Sequence, residues 1–99
     1  MPELLLTIYC SKVDAGPIAT TLRDATRHPV HQRDEIVHGL DFSDASPAES
    51  VVGRLERCAV DLRVEEGAAS ALIAQVGALK RAAPFRWHLT PVIASGRLT

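Results

Sequence analysis

The chain has 99 residues, a formal net charge of −1 and a hydrophobic content of 46%. This length predicts a single domain over residues 1–99, and the balanced charge argues against nucleic acid as a partner, because phosphate binding needs a basic face. No apolar run approaches the roughly 18 residues that span a bilayer, and the N-terminus lacks the basic start of a signal peptide. We therefore expect a cytosolic protein that does not insert into membranes.

The first half of the chain predicts a strand, a helix and a second strand. Residues 4–10 form an apolar run rich in strand formers, as in a buried central strand. A helix should follow, with Asp14 as its N-cap, Pro17 in its first turn and its end just before His28. Its apolar stripe consists of Ile18, Leu22 and Ala25.

Residues 30–40 alternate two mostly polar sets of side chains, which is typical of an edge strand. The next stretch, 41–53, is rich in loop formers and contains one large apolar side chain, Phe42. It predicts an exposed loop at which the chain turns back.

The second half repeats the pattern. Residues 55–64 alternate apolar and charged side chains, with Arg57, Asp61 and Arg63 on the charged side. A second helix is then predicted, stopped by Pro84, and residues 85–93 alternate as a last strand. The apolar stripe of this helix consists of Ala69, Leu72, Ile73, Val76 and Leu79.

The order βαββαβ predicts an α+β fold, a ferredoxin-like sandwich with a four-stranded antiparallel sheet and two helices on one face. The other face of the sheet is then uncovered over about 400 Å², which is near the limit that a monomer exposes. The first strand contributes to it either Leu5 and Tyr9 or Leu6 and Ile8. We therefore expect oligomerisation through this face.

Three segments resemble a bacterial PII-like family that is known only as a domain of unknown function and is often encoded beside heavy-metal efflux systems. These segments are His38-Gly39-Leu40, Ala48-Glu49-Ser50-Val51-Val52-Gly53-Arg54 and Trp87-His88-Leu89-Thr90-Pro91-Val92-Ile93-Ala94-Ser95-Gly96-Arg97-Leu98. The resemblance implies a homotrimer with the nitrogen-regulatory PII-type fold. It also implies a protein partner bound by the 41–53 loop, for which the candidate contacts are Phe42, Asp44, Glu49 and Arg54.

In PII proteins nucleotides bind in clefts between subunits, and a glycine-rich turn before the last strand holds their phosphates. The matching turn here, 81–85, has no glycine and contains Pro84, which lacks a backbone donor. The turn therefore lacks the features of the PII phosphate site, and we assign no cofactor while the nucleotide effector stays open. The residues expected to line the cleft, as a ligand patch or as inter-subunit ion pairs, are Arg57, Asp61, Arg63, His88 and Arg97.

Metal binding is the main alternative function. His28 and His31 have a metal-like spacing, His38 lies on a strand that trimer packing could bring near a neighbouring subunit, and Cys10 ends the first strand. Against this, Cys10 and Cys58 lie outside any CxxC pair and are expected to be reduced, buried thiols. A cofactor or metal effector is not assigned.

An enzyme of the acylphosphatase type is a third possibility. That chemistry needs an Arg in the loop after the first strand and an Asn for the attacking water, and this chain contains Lys12 at that loop and no Asn. No nucleophile motif such as G-x-S-x-G occurs. The sequence therefore favours a non-catalytic PII-like regulator or adaptor, linked through its family to metal homeostasis.

Overall fold

The computed structural model describes residues 3–38 and 54–99. The strands are β1 (Glu3–Cys10), β2 (His31–His38), β3 (Arg54–Glu65) and β4 (Arg86–Pro91). The helices are α1 (Lys12–Thr26) and α2 (Ala69–Ala78), and a 3₁₀ turn, Glu66–Ala68, leads into α2. The predicted order and the α+β, ferredoxin-like fold are confirmed.

The four strands form one antiparallel sheet in the order β2-β3-β1-β4. The apolar strand β1 lies inside the sheet, paired with β3 on one side and with β4 on the other. The polar strand β2 pairs with β3 and ends the sheet. This matches the predictions, because an edge strand tolerates charged side chains that a central strand excludes.

The hydrophobic core lies between one face of the sheet and the two helices. Leu6 and Ile8 of β1 and Leu62 of β3 are at most 1% exposed on this inner face. They pack with helix residues of the same core cluster, among them Ile18, Leu22, Leu72 and Val76. Leu5 and Tyr9 of β1 therefore occupy the outer face, which settles the alternative that the sequence left open.

The start of α1 corrects one prediction. The N-cap is Ser11 and not Asp14, because the Ser11 hydroxyl accepts a hydrogen bond from the Asp14 backbone N–H at 3.3 Å. The helix consequently begins at Lys12, and Pro17 falls in its second turn, where it removes one helical hydrogen bond. Asp14, in the first turn, is left with its carboxylate free for another contact.

The end of α1 lies where the sequence predicts it, before His28. Arg27 adopts a left-handed conformation with φ of 63° and donates its N–H to the Arg23 carbonyl at 2.7 Å. The Thr26 hydroxyl donates to the Leu22 carbonyl at 2.8 Å and accepts the His28 N–H at 3.1 Å. These bonds satisfy helix-end groups and turn the chain toward β2.

The segment 39–53 lies outside the described residues, and the predicted loop with Phe42, Asp44 and Glu49 falls within it. Across residues 3–38 and 54–99, no helix is both long and apolar enough to cross a bilayer.

Candidate functional site

The outer face of the sheet brings together residues from all four strands. In one row across the sheet, His31, Asp61, Thr7 and His88 are successive register partners. In the neighbouring row Arg33, Ala59, Tyr9 and Arg86 follow the same order. We call Thr7, Tyr9, Arg33, Asp61 and His88 the outer-face cluster.

An ion pair at the centre of the outer-face cluster joins β2 to β3. Arg33 Nη1 donates to Asp61 Oδ2 at 2.8 Å, and its Nε lies 3.7 Å from Glu35 Oε1. Ala59, the register partner of Arg33, is small enough to let the guanidinium reach diagonally to Asp61. The hydrogen bond and charge of Asp61 raise the pKa of Arg33, so the pair stays ionised.

Asp61 and Thr7 are unusual for a sheet face that carries no helix. They are only 7% and 2% exposed, and neither belongs to the hydrophobic core cluster. Buried carboxylates persist where they are paired, and Asp61 has its pair in Arg33. Beside them the rings of Tyr9 and His88 meet at a centroid distance of 5.4 Å and a tilt of 50°. The outer-face cluster is thus an ordered polar surface.

Four of the five predicted cleft residues lie on this outer face. Arg57, Asp61 and Arg63 alternate along β3, and His88 lies in the same row as Asp61. Arg63 Nη1 donates to Ser95 Oγ at 2.6 Å and lies 3.8 Å from Glu3 Oε1. These two contacts hold the C-terminal segment against β1. Arg57, only 6% exposed, donates to the Glu56 carbonyl at 2.9 Å.

The fifth cleft residue, Arg97, lies in the exposed segment after β4. Arg54, predicted to contact a partner, is the first residue of β3 and the register partner of His38. It stands where the chain enters the sheet from the 39–53 segment. Both roles stay predictions.

The four predicted metal ligands lie apart. The ring Nδ1 of His28 donates to the Arg63 carbonyl at 3.0 Å, and Cys10 is buried in the core. His31 faces Asp61 at one end of β2, and His38 lies at its other end. Within residues 3–38 and 54–99 no group of three or more His, Cys, Asp or Glu side chains forms a metal site. Metal binding through these residues stays a prediction.

A second polar site, which we call the Asp14 clamp, fixes the turn between α2 and β4. The Asp14 carboxylate, 6% exposed, accepts the backbone N–H groups of Ala82 at 2.8 Å and Ala83 at 3.2 Å. Burial alone would raise the pKa of Asp14, but hydrogen bonds from Ala82, Ser11 and Ala83, with the nearby Arg81 charge, lower it below its usual value. The carboxylate is therefore held ionised inside the fold.

The same turn is braced by Arg81. Its guanidinium lies 4.8 Å from the centre of the Phe85 ring, a cation–π contact, and it donates to the Ala83 and Gly77 carbonyls at 3.1 and 3.2 Å. Successive backbone N–H groups, such as those of Ala82 and Ala83 in this turn, commonly bind anions. Here the chain's own carboxylate occupies them.

Sequence reasoning missed Arg33, Tyr9 and Asp14 as site residues. Arg33 alternates with His31 and Glu35, so its face could be inferred, but its partner Asp61 depends on the strand register. Asp14 was interpreted as a local cap, whereas its partners lie 68 and 69 residues further along the chain.

Comparison with solved structures identifies this sheet-and-helix arrangement as the fold of the PII signalling proteins. B. subtilis GlnK matches with a TM-score of 0.64 and 11% identity over 94% of this chain and 87% of that chain. Arabidopsis thaliana PII bound to citrate matches with a TM-score of 0.63 and 11% identity over 92% and 78%. Identities this low show the fold alone.

A DUF3240 family protein from Shewanella baltica OS155 matches with a TM-score of 0.73 and 18% identity, over 98% of this chain and 97% of that chain. The family model "Protein of unknown function (DUF3240)" matches residues 28–99, most of the chain, and the protein belongs to this family. No curated protein matches it. The resemblance to a PII-like family of unknown function is confirmed.

Proposed function

We propose that this protein is a non-catalytic, PII-like regulator or adaptor that assembles as a homotrimer through the outer face of its sheet. The observation that carries the proposal is the outer-face cluster, in which Asp61 and Thr7 are nearly buried on a face that neither helix covers. An ordered mixture of apolar and paired polar groups is typical of protein interfaces.

The sheet face alone is small for a stable interface, which favours an assembly that also uses a neighbouring segment. A four-stranded face of about 400 Å² is half of the roughly 800 Å² that each partner buries in a standard interface. The segment after β4 offers further apolar surface, since Ile93 and Leu98 are fully exposed and Ser95 is tied to Arg63 and Glu3. This segment would add apolar area to that of the sheet face.

Light scattering tests the assembly. We expect a mass three times the 10.7 kDa of the chain at micromolar concentration. The variant Leu5→Glu, which places a carboxylate beside Arg63 on the outer face, should dissociate the trimer and leave the subunit folded. Thr20→Glu on the exposed side of α1 is the matched control and should remain trimeric. A parent protein of 10.7 kDa would contradict the proposal.

The partner-binding element in this proposal is the 41–53 loop. His38 and Arg54 are register partners, so β2 ends and β3 begins at adjacent positions of the sheet. A hairpin connection needs about two to five residues, and a loop this much longer tends to have a function of its own. Three copies in a trimer would bind a multimeric target with high avidity.

A loop variant tests partner binding. Residues 43–50 are replaced by a short Gly-containing turn and Phe42 is changed to Ser, and the melting temperature, the mass and the captured cellular proteins are compared with the parent. We expect a folded trimer that no longer captures the parent's partners. Capture of the same partners would show that the loop is only a connection.

Metal homeostasis is the process that the family association suggests for this regulator. Direct metal binding through His28, His31, His38 and Cys10 is the first alternative, and an acylphosphatase-type enzyme is the second. One calorimetric series with Cu(I), Zn²⁺ and adenine nucleotides separates the first two functions. Heat with a metal alone would favour direct metal binding, whereas no heat with any ligand would favour a pure protein adaptor.

A further inference from the structure

The two cysteines face each other across the central strands of the sheet. Cys10 of β1 and Cys58 of β3 are register partners, and both are free thiols. Both belong to the core cluster on the inner face, at 0% and 2% exposure. The Cys10 thiol points toward β3, since its Sγ lies 3.7 Å from the Cys58 carbonyl oxygen.

This placement satisfies the backbone requirement for a disulfide. Directly opposed residues of antiparallel strands have Cα atoms about 4.5 or 5.5 Å apart, depending on their place in the ladder. Disulfides join residues whose Cα atoms are about 4.4–6.8 Å apart. The side chains of Cys10 and Cys58 lie on the same face of the sheet, so a bond between them requires side-chain rotation without separation of the strands.

Cys58 is the thiol closer to solvent. Its Sγ donates to Asp34 Oδ1 at 3.2 Å, and the Asp34 side chain is 73% exposed. The other carboxylate oxygen of Asp34 lies 3.9 Å from Lys12 Nζ. An open depression borders this contact and is lined by Lys12, Asp34, Glu35, Ile36 and Glu56. Cys58 itself is 2% exposed and does not line the depression, so we expect a small oxidant to reach its sulfur when the contact with the exposed Asp34 side chain opens.

We propose that Cys10 and Cys58 form a redox-active pair that hydrogen peroxide converts to an intramolecular cross-strand disulfide. The Cys58 thiolate attacks one peroxide oxygen and forms a sulfenic acid, and the other oxygen leaves as hydroxide and is protonated to water. Cys10 then attacks the Cys58 sulfur, the S–S bond forms and a second water leaves. The two thiols supply two electrons and two protons, and one peroxide becomes two waters.

The surroundings of the pair set its reaction rate. Burial raises the pKa of Cys10 to about 11, with further raising by Cys58 and Asp14 and lowering by Arg57. Burial also raises the pKa of Cys58, as do the hydrogen bond and charge of Asp34, whereas Lys12 lowers it. Since the thiolate is the reactive form, oxidation is slow at neutral pH and accelerates about tenfold per pH unit while the pH stays below the pKa.

Oxidation would also alter the contact between β3 and the edge strand β2. The Cys58 S–H that donates to Asp34 disappears in the disulfide, while the ion pair of Asp34 with Lys12 remains. Amide hydrogen exchange in β2 should accordingly be faster in the oxidised protein. That β2 leads into a partner-binding loop rests on the proposed function, whereas disulfide formation is measured independently of any partner.

The test treats the reduced full-length protein with hydrogen peroxide and follows it by intact mass and by alkylation after denaturation. We expect the loss of two hydrogens, protection of both thiols from alkylation and full reversal by dithiothreitol. Cys10→Ser and Cys58→Ser should each abolish the intramolecular bond. Thiols that stay alkylatable, or added oxygen atoms in place of a disulfide, would overturn the proposal.

A second set of variants tests the assigned environment without removing either sulfur. Asp34→Asn removes a charge that disfavours the Cys58 thiolate and should accelerate oxidation several-fold at neutral pH, whereas Lys12→Met should slow it. Asp24→Asn, at an exposed position of α1, is the matched control and should leave the rate unchanged. Equal rates in all three variants would exclude attack at Cys58 beside Asp34.

Discussion

At the scale of single residues, the Asp14 clamp joins the start of α1 to the turn before β4. Asp14 belongs to the first turn of α1, whereas Ala82 and Ala83 belong to the turn before β4. Hydrogen bonds to a charged group contribute about 1.5–3 kcal/mol to stability. The carboxylate therefore stabilises the turn, and its presence leaves these two donors unavailable to an external phosphate.

Asp14→Ala should lower the free energy of unfolding by about 1–3 kcal/mol, because both N–H groups lose their acceptor. Urea denaturation measures the change. Asp24→Ala is the matched control, since Asp24 forms an exposed ion pair with Arg23 at 3.0 Å, and it should change stability by less than about 0.5 kcal/mol. Equal effects of the two changes would mean that the clamp contributes nothing.

The contribution of Asp14 should depend on pH. Its pKa is lower in the folded protein than its ordinary value of 3.8, so the ionised carboxylate stabilises the fold fully above that value. This stability is lost as the pH falls through the lowered folded-state pKa. In urea titrations the stability difference between the parent and Asp14→Asn should therefore be constant above about pH 5 and shrink in more acidic solution. A difference that grows on acidification would contradict this sign.

The pair of Arg33 and Asp61 offers a further test at the same scale. A double-mutant cycle with Arg33→Met and Asp61→Asn should give a coupling energy of about 1 kcal/mol, because Arg33 is half exposed and solvent screens part of the attraction. The exposed pair Arg23 and Asp24 is the comparison, with an expected coupling below about 0.5 kcal/mol. Similar values would indicate that Asp61 is no better shielded than a surface carboxylate.

At the scale of elements, α2 is a short helix with no side-chain cap, so its stability comes from the sheet beneath it. Its buried residues are Ala69, Leu72 and Val76, which recur at spacings of three and four. Ile73, on the same predicted stripe, packs against the core but is only partly buried. The predicted phase of α2 is thus right as far as Val76, with Leu72 nearer the centre of the contact. The predicted end is wrong, because α2 stops at Ala78, so Leu79 lies beyond the helix and Pro84 is not what ends it.

Leu72→Ala should destabilise the fold by about 2–5 kcal/mol, because it leaves a cavity between α2 and the inner face of the sheet. Ile73→Ala should cost less, since part of its side chain already contacts solvent. Thermal and urea denaturation of both variants measure the difference. A loss below about 1 kcal/mol for Leu72→Ala would mean that α2 is not held by this residue.

At the scale of the whole molecule, the inner face of the sheet is covered by helices and the outer face holds ordered but partly exposed polar groups. The inner face accounts for folding of the subunit, and the outer face for the proposed assembly. Cys10 and Cys58 lie on the inner face, so the proposed redox chemistry and the proposed interface use opposite sides of the same strands. In the proposed oligomer, oxidation would therefore act on one subunit without disturbing the interface.

Much of this architecture follows from local sequence patterns. The apolar run 4–10 favours a central position in the sheet, while the polar alternation around Arg33 is typical of an edge strand. The spacing of Leu72 and Val76 likewise predicts the buried side of α2. Each of these inferences needs only the period of a helix or strand and the preference of apolar side chains for the core.

The contacts that define the candidate sites depend on register and on distant parts of the chain. Asp14 resembles a helix cap in the sequence, and only the approach of the turn before β4 makes it a clamp. Cys10 and Cys58 belong to no sequence motif, and antiparallel pairing of β1 with β3 places them opposite each other. In the same way, the pairing of β2 with β3 places Asp61 diagonally across from Arg33. The sequence by itself determined the elements, their order and the family, because these depend on local periodicity and motif. Only the tertiary structure decided which polar and sulfur groups meet, because residues far apart along the chain are brought together by the pairing of strands.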